Sequence, residues 1–224
     1  MYYTKHFDRI NKNKDGENDS LILGISPIAQ LIDEKEVVRI LGPEYLEIIK
    51  RKNKKRQKEY FTTRRMIKEL IGGNPTIRIE NGILGNPVIL GDSMNRQISI
   101  SHSRNYAAVL IGARDMTVGV DIEDITGKDR EEINVALSED EHLFEPEFAD
   151  QECFKVTLWT AKEALSKFLR IGMTADWRIF EIANVVNDQI RHEICFKFFP
   201  DIKAYSVQIK GAVYSIVCPG VEIK

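Results

Sequence analysis

The stretch WTAKEALSK, Trp159–Lys167, decides how this chain is read. As a helix it sets Trp159, Lys162, Glu163, Ser166 and Lys167 on one side, because residues three and four apart are neighbours on a helical surface. Leu158, Ala161, Leu165, Phe168 and Leu169 gather mostly on another side and are expected to face a core. About forty residues upstream stands GVDIE, Gly119–Glu123, where Val118, Val120 and Ile122 alternate with Gly119, Asp121 and Glu123. A period of two predicts a half-buried strand, so Asp121 and Glu123 project side by side from one face.

Two carboxylates held that close repel each other unless a cation neutralises them or one takes a proton. A few hard oxygen donors, with no cysteine or histidine beside them, suit Mg²⁺, which keeps several waters and binds substrate phosphates. With Glu163 brought in from the helix, three carboxylates would surround one ion while Lys162 and Lys167 wait for anions. That combination reads as phosphate chemistry on a metal. Each feature alone has a plainer reading. An acidic pair on a strand is commonly a solvated edge, and Glu163 with Lys167 is commonly a surface ion pair. Taken jointly they favour a site.

A third segment, QISISHS (Gln97–Ser103), alternates Ile98 and Ile100 with Ser99 and Ser101 and leads into the apolar run Ala107–Ile111. A hydroxyl and an imidazole at a strand end, Ser101 and His102, can donate hydrogen bonds to phosphate oxygens. A hydrogen-bonded loop before the next strand fits these residues about as well. A nucleophilic Ser-His pair is disfavoured, since adjacent strand residues point apart and no G-x-S-x-G elbow is present.

In this order, ISISHS, GVDIE and WTAKEALSK resemble the phosphopantetheinyl transferases, specifically the larger single-chain type that primes nonribosomal peptide and polyketide synthases. GVDIE is similar to that family's metal-binding strand, and WTAKEALSK fits its W-x-x-K-E-A-x-x-K signature throughout. The resemblance implies an α+β fold of two similar pseudo-twofold halves, each a long helix on a small antiparallel sheet, with the active site between them. Residues 1–114 would form the N-terminal half and residues 115–224 the C-terminal half. It implies transfer of the 4′-phosphopantetheine arm of coenzyme A to a serine of an apo acyl or peptidyl carrier protein, with Mg²⁺ or Mn²⁺ and release of 3′,5′-ADP. The roles it implies are specific. Asp121, Glu123 and Glu163 hold the metal, and Glu163 takes the serine proton. Lys167 is catalytic and neutralises phosphate charge, Ser101 and His102 position the phosphates, and Arg64 and Lys162 meet the 3′-phosphate end of coenzyme A. Trp159 is a packing residue. One departure stands out: the family's Gly-Lys-Pro is Gly85-Asn86-Pro87, which keeps the turn and loses a charge.

The residues themselves suggest a repeat. Arg65–Ile71 and Glu163–Leu169 share an apolar pattern at an offset of 98, each helix meets a glycine (Gly72, Gly172), and a short strand is expected at Arg78-Ile79 and Arg178-Ile179. Arg65 falls where Glu163 lies, so one catalytic site per chain is expected. The other elements expected are a loop or hairpin tip over 8–19, a strand over Leu21–Ile25, a short helix from Ser26 to Leu31 and one long helix from Glu44 to Ile71. Strands follow at Thr76–Glu80, Val88–Leu90, Gln97–Ser101, Ala107–Ala113, Thr117–Glu123, His192–Phe198, Lys203–Ile209 and Ala212–Cys218, with a helix around Asp129–Ala136.

Seven of the nine residues Lys50–Lys58 are basic. This run is either a solvated helix face, a seat for the phosphorylated end of coenzyme A, or a nucleic-acid contact. The lack of interleaved aromatics beyond Tyr60 and Phe61 disfavours nucleic acid. The 224 residues are 43% hydrophobic, enough for a proper core, and the formal charge of −2 gives no global pull toward nucleic acid or membrane. Cys153, Cys195 and Cys218 are too scattered for a disulfide framework or zinc site. The polar N-terminus lacks a signal-like apolar region and no stretch is long enough to span a bilayer, so a cytoplasmic location is expected. The two-half architecture that the resemblance implies, with both halves of the site on one chain, suggests a monomer. Between Asp124 and Phe154, Leu137, Leu143, Phe144 and Phe148 are either a carrier-docking surface or ordinary core. Two rivals to the transferase stay open: a module that binds coenzyme A without transferring anything, and a basic-helix nucleic-acid binder.

Overall fold

The structure is a computed structural model and describes residues 3–8, 20–74, 76–83, 85–126, 131–148, 150–172, 175–188 and 191–218. In chain order, strands β1 (Tyr3–Asp8) and β2 (Ser20–Pro27) lead to helices α1 (Glu34–Ile40), α2 (Glu44–Lys50) and α3 (Lys54–Leu70). Strands β3 (Arg78–Asn81), β4 (Pro87–Leu90), β5 (Gln97–His102), β6 (Tyr106–Gly112) and β7 (Gly119–Asp124) follow. Helices α4 (Glu131–Ala136) and α5 (Gln151–Leu169) precede β8 (Ile182–Asn187), β9 (His192–Phe196), β10 (Lys203–Ile209) and β11 (Ala212–Val217). The fold is α+β, with an antiparallel four-stranded sheet β1-β2-β6-β5, a five-stranded sheet β7-β11-β10-β9-β8 and a hairpin β3-β4.

The two larger sheets face each other. Alternation along β6 sends Ala108 and Leu110 into a core shared with Val120, Ile122, Tyr214 and Ile216 of the second sheet. Its other residues, Ala107, Val109 and Ile111, pack against Met66 and Ile67 of α3. A third core joins α5, through Phe154, Leu158, Ala161 and Leu165, to Ile194, Phe196, Ala204 and Val213 of the second sheet. Both sheets are therefore covered on two faces, and β6 and β11 are buried almost throughout because their sequences YAAVLIG and AVYSIV are apolar with small or hydroxyl-bearing exceptions. Ser215 satisfies its hydroxyl against Thr160 Oγ1 at 2.6 Å and Ser206 Oγ at 2.7 Å, a polar thread beneath α5.

Several expectations need correction. The long helix expected over Glu44–Ile71 is two helices, α2 and α3, broken at Arg51–Asn53. Asn53 is extended and its side chain accepts from Arg56 N at 2.9 Å, so a cap signal interrupts what composition reads as continuous helix. No helix forms from Ser26 to Leu31, because β2 continues to Pro27 in register with Tyr106, and the helix comes later as α1, capped by Asp33. Strands β1 and β8 were not anticipated, and Arg178-Ile179 lies in a 3₁₀ turn, Trp177–Phe180, not a strand. Of the loop expected over 8–19, residues 9–19 lie outside the described ones, as do 127–130 at the start of the helix that is described as α4.

Helix α5 departs most from its expected form. It is buried around nearly its whole circumference, including Trp159, Lys162 and Ser166, because it lies against β7 on one side and the segment Asp140–Glu147 on another. The contact with β7 is made at Gly119, where an added Cβ would sit 2.0 Å from the Ala164 carbonyl oxygen and 2.8 Å from Phe168 N. Both atoms are backbone and cannot swing away. Gly119→Ala should therefore cost about 3 kcal/mol in a urea unfolding titration, the upper end of ordinary overpacking. An unchanged midpoint would mean that helix and strand can part without loss.

Candidate active site

Three serines on one face of the chain segment through β5 tie the first sheet to β7. Val120 N donates to Ser99 Oγ at 3.0 Å, Ser101 Oγ donates to Asp121 Oδ1 at 2.6 Å and Ser103 Oγ donates to Asp124 Oδ1 at 3.1 Å. Asp124 also accepts from Arg104 N at 3.0 Å and from Asn105 Nδ2 at 3.2 Å, which fixes the turn after His102. The alternation of serine along β5 is thus the sequence trace of an inter-sheet zipper. Asp124 was not singled out in the sequence, although its place one residue after GVDIE was the available signal.

At the middle of this zipper, Lys167 Nζ of α5 donates to Asp121 Oδ1 at 2.7 Å and to Ser101 Oγ at 3.0 Å. Three elements meet on one carboxylate. Asp121 is 3% exposed, and its second oxygen, Oδ2, is buried without a hydrogen-bond partner. Glu163, one helical turn before Lys167, lines the same cleft together with Glu123. Burial first, and then repulsion from Asp121, pushes the Glu163 carboxyl up to about 7, against the pull of Lys167. The expected alternation in β7 holds for side-chain direction, since Asp121 and Glu123 both line the cleft. The expectation of a half-solvated strand does not, because α5 and the first sheet cover both faces.

The cleft has a volume of about 810 Å³ and is lined by these acids and by a basic wall of Arg51 and Lys52 from the break between α2 and α3 and Arg56, Tyr60 and Arg64 from α3. Ser101 and His102 lie between the acids and the wall. Arg64 stacks over the Tyr60 ring at 4.0 Å and donates to Thr63 Oγ1 at 3.1 Å; burial lowers its guanidinium below the ordinary arginine range. His102 is likewise lowered by burial, against the attraction of Glu59. Gly85 and Pro87 border this cleft, whereas Asn86 borders a smaller one beside it.

Lys162 is not brought to the cleft. Only 1% exposed, it donates to Glu141 Oε2 at 2.7 Å and to the Ala136 carbonyl at 2.6 Å. Glu141 in turn accepts from Ser138 N and Ile182 N, both at 2.8 Å. This buried pair clamps α4, the 3₁₀ segment and β8 onto α5, and it turns the Lys162 ammonium away from the cleft, whose lining does not include it. A helical wheel cannot separate Lys162 from Glu163, because adjacent residues differ by only about 100° and either face is covered once the partner segments fold over. Trp159, by contrast, packs as expected, against Trp177 at 4.9 Å between ring centroids.

Among the described residues, no three His, Cys, Asp or Glu side chains already stand in a metal-holding group. The donors at the acidic end nevertheless suit a hard divalent cation: a buried carboxylate oxygen without a donor on Asp121, and Glu163 and Asp121 in mutual repulsion. Among the same residues no helix is long and apolar enough to cross a membrane.

Residues 117–217 match the family model of the 4′-phosphopantetheinyl transferase superfamily, a span that includes β7, α5 and β8–β11. The resemblance carried by GVDIE and WTAKEALSK is borne out over that span, and this part of the chain is a domain of that superfamily. The ISISHS strand and the basic helix α3 lie outside it. No curated protein matches the chain.

The raised Glu163 carboxyl makes a prediction about stability. Between its unfolded value of 4.5 and its folded value of about 7, the native state holds the extra proton, so folding stability contributed by this group falls as pH rises through that window. Glu163→Gln should flatten the decline, measured as urea midpoints from pH 4.5 to 7.5. The same slope in both proteins would remove Glu163 as its source.

Proposed function

We propose that this chain, with its 4′-phosphopantetheinyl transferase domain over 117–217, moves the phosphopantetheine arm of coenzyme A onto a serine of an apo acyl or peptidyl carrier protein, with release of 3′,5′-ADP. The observation that carries this reading is the cleft itself: carboxylates and Lys167 at one end, a wall of arginine and lysine at the other, and Ser101 and His102 between. A diphosphate-bearing nucleotide needs this order of charges, with its reacting phosphorus at the acidic end and its remaining anionic groups along the cations.

Asp121, Glu123 and Glu163 would hold a Mg²⁺ or Mn²⁺ ion. When bound, it supplies positive charge to the pyrophosphate oxygens and lowers the barrier to displacement at phosphorus. The chain's own groups do the rest. Lys167 sits 2.7 Å from Asp121 and can turn its ammonium to a phosphate oxygen as charge builds on the leaving group. The Ser101 hydroxyl keeps that lysine and Asp121 in place. Glu163 accepts the proton of the attacking carrier hydroxyl; burial and the nearby Asp121 raise the affinity of its carboxyl for that proton. The hydroxyl oxygen bonds to the β-phosphorus, the bond from that phosphorus to the bridging oxygen of 3′,5′-ADP breaks, and the leaving group departs along the basic wall. Arg64 serves that nucleotide end.

Supporting this reading over a passive coenzyme-binding module are the buried, unsatisfied Asp121 oxygen and the raised Glu163, which a binding site alone has no need to maintain. A nucleic-acid binder is disfavoured by the acids that share the cleft with the basic wall.

Intact mass of apo carrier proteins after incubation with coenzyme A, Mg²⁺ and the protein tests the activity. A gain of one phosphopantetheine is expected, with Glu163→Gln slower by a factor on the order of 10²–10⁴. Failure on every carrier type tried, with coenzyme A still bound, would return the chain to the binding-module class. A separate melting experiment tests the cation. Mg²⁺ should raise the melting temperature of the wild type at pH 7.5 and have little effect on Asp121→Asn. Equal shifts in both would mean that Asp121 is not a ligand.

A further inference from the structure

The cleft's basic wall contains one acid. Glu59, on α3, is 3% exposed among Lys55, Arg56 and Lys58 and borders the cleft beside His102. Arg56 Nη1 donates to its Oε2 at 3.0 Å, and His102 Nε2 stands 3.5 Å from the same oxygen. Arg56 Nη1 also lies 3.0 Å from His102 Nε2, so the guanidinium bridges carboxylate and imidazole. The other oxygen, Oε1, is buried with no hydrogen-bond donor and has only the Lys55 ammonium, 3.8 Å away.

A guanidinium that donates to one oxygen, with an imidazole beside it, is an arrangement by which proteins hold phosphate and carboxylate groups. Here the anion belongs to the chain. A buried carboxylate half of whose hydrogen-bonding capacity is unused is costly, and the pairs that Glu59 makes along α3 with Lys55 and Arg56 leave Oε1 without a donor. The position therefore calls for a role in the cleft as well as in the helix.

We infer that Glu59 fills, from within the chain, the anion slot formed by Arg56 and His102, so that the cleft accepts a nucleotide with a free 3′-hydroxyl about as readily as one with a 3′-phosphate. The inference rests on the reading of this cleft as the coenzyme site. Glu59 is then a specificity-determining residue. Its negative charge opposes a second phosphate at this point on the wall, and it occupies the Arg56 guanidinium, with His102 beside it, that would receive one. The reacting end is untouched, because Lys167, Ser101 and Asp121 hold each other independently of Glu59. Substrates of this class would include 3′-dephospho-coenzyme A, with 5′-AMP as the product released in place of 3′,5′-ADP.

The experiment compares kcat/KM for coenzyme A and 3′-dephospho-coenzyme A on one apo carrier protein, alongside calorimetric binding of 3′,5′-ADP and 5′-AMP. Wild-type protein, Glu59→Gln and Glu59→Ala are measured, each with its melting temperature. In the wild type the two coenzymes should differ by no more than about three-fold. In either variant, freeing Arg56 and His102 for charge-assisted bonds should favour the 3′-phosphorylated ligand by about ten-fold or more, in KM and in calorimetric affinity. A wild type that already prefers coenzyme A by more than ten-fold overturns the inference, as does a folded variant with an unchanged ratio. Should no carrier be modified while nucleotides still bind, the transfer reading fails and the binding ratio alone decides the role of Glu59. If neither nucleotide binds, both fall.

Discussion

The carboxylate of Asp121 is where this structure is held together. It is buried between a strand of one sheet, a strand of the other and the helix that covers the second, and it takes the Ser101 hydroxyl at 2.6 Å and the Lys167 ammonium at 2.7 Å on one oxygen. A charge in such a place is stable only if it is paired and hydrogen-bonded. Half of it is. The remaining oxygen has no hydrogen-bond donor. The interaction that joins the elements thus leaves the site ready for a positive charge.

Two buried acids with incomplete hydrogen bonding, Asp121 and Glu59, line one cleft and differ in their company. Asp121 has two other carboxylates lining its end of the cleft and one lysine to oppose them. Glu59 has a wall of cations and no other acid on its helix face. The first environment favours adding a cation; the second neutralises an anion already present. The same residue chemistry therefore serves opposite purposes according to the neighbours that the fold supplies. The Lys162–Glu141 pair is a third case, in which two opposite charges meet in a buried place and tie neighbouring segments together, and the outcome is structural.

The strands were mostly legible because alternation and β-branched runs identify them, and β10 follows its expected bounds while β5, β7, β9 and β11 differ by a residue or two. The break between α2 and α3 was not, since Asn53 looks like one more polar residue in a basic run and acts as a cap only once its backbone turns extended. Strand β8, IANVVN, carries only a short apolar alternation and depends on β9 for its pairing. The acids of GVDIE, with Glu163, Lys167, Ser101 and His102, line one cleft, as their joint reading implied. Lys162 does not, and Glu59, Asp124 and Glu141 were missed because each acquires its role from a partner at least 19 residues away or from burial that no local pattern encodes.

By itself, the sequence determined the alternation that makes strands, the spacing that sets Glu163 and Lys167 one helical turn apart, and the order of segments by which the superfamily is recognised over 117–217. These are local properties, fixed by the periods of helix and strand. Only the tertiary structure decided which charges line the cleft and which became struts. Lys162 and Glu163 are adjacent in sequence, yet one is sealed against Glu141 and the other faces the cleft. The reason is that a charge's function depends on the dielectric and the partners around it, and both are set by elements distant in the chain.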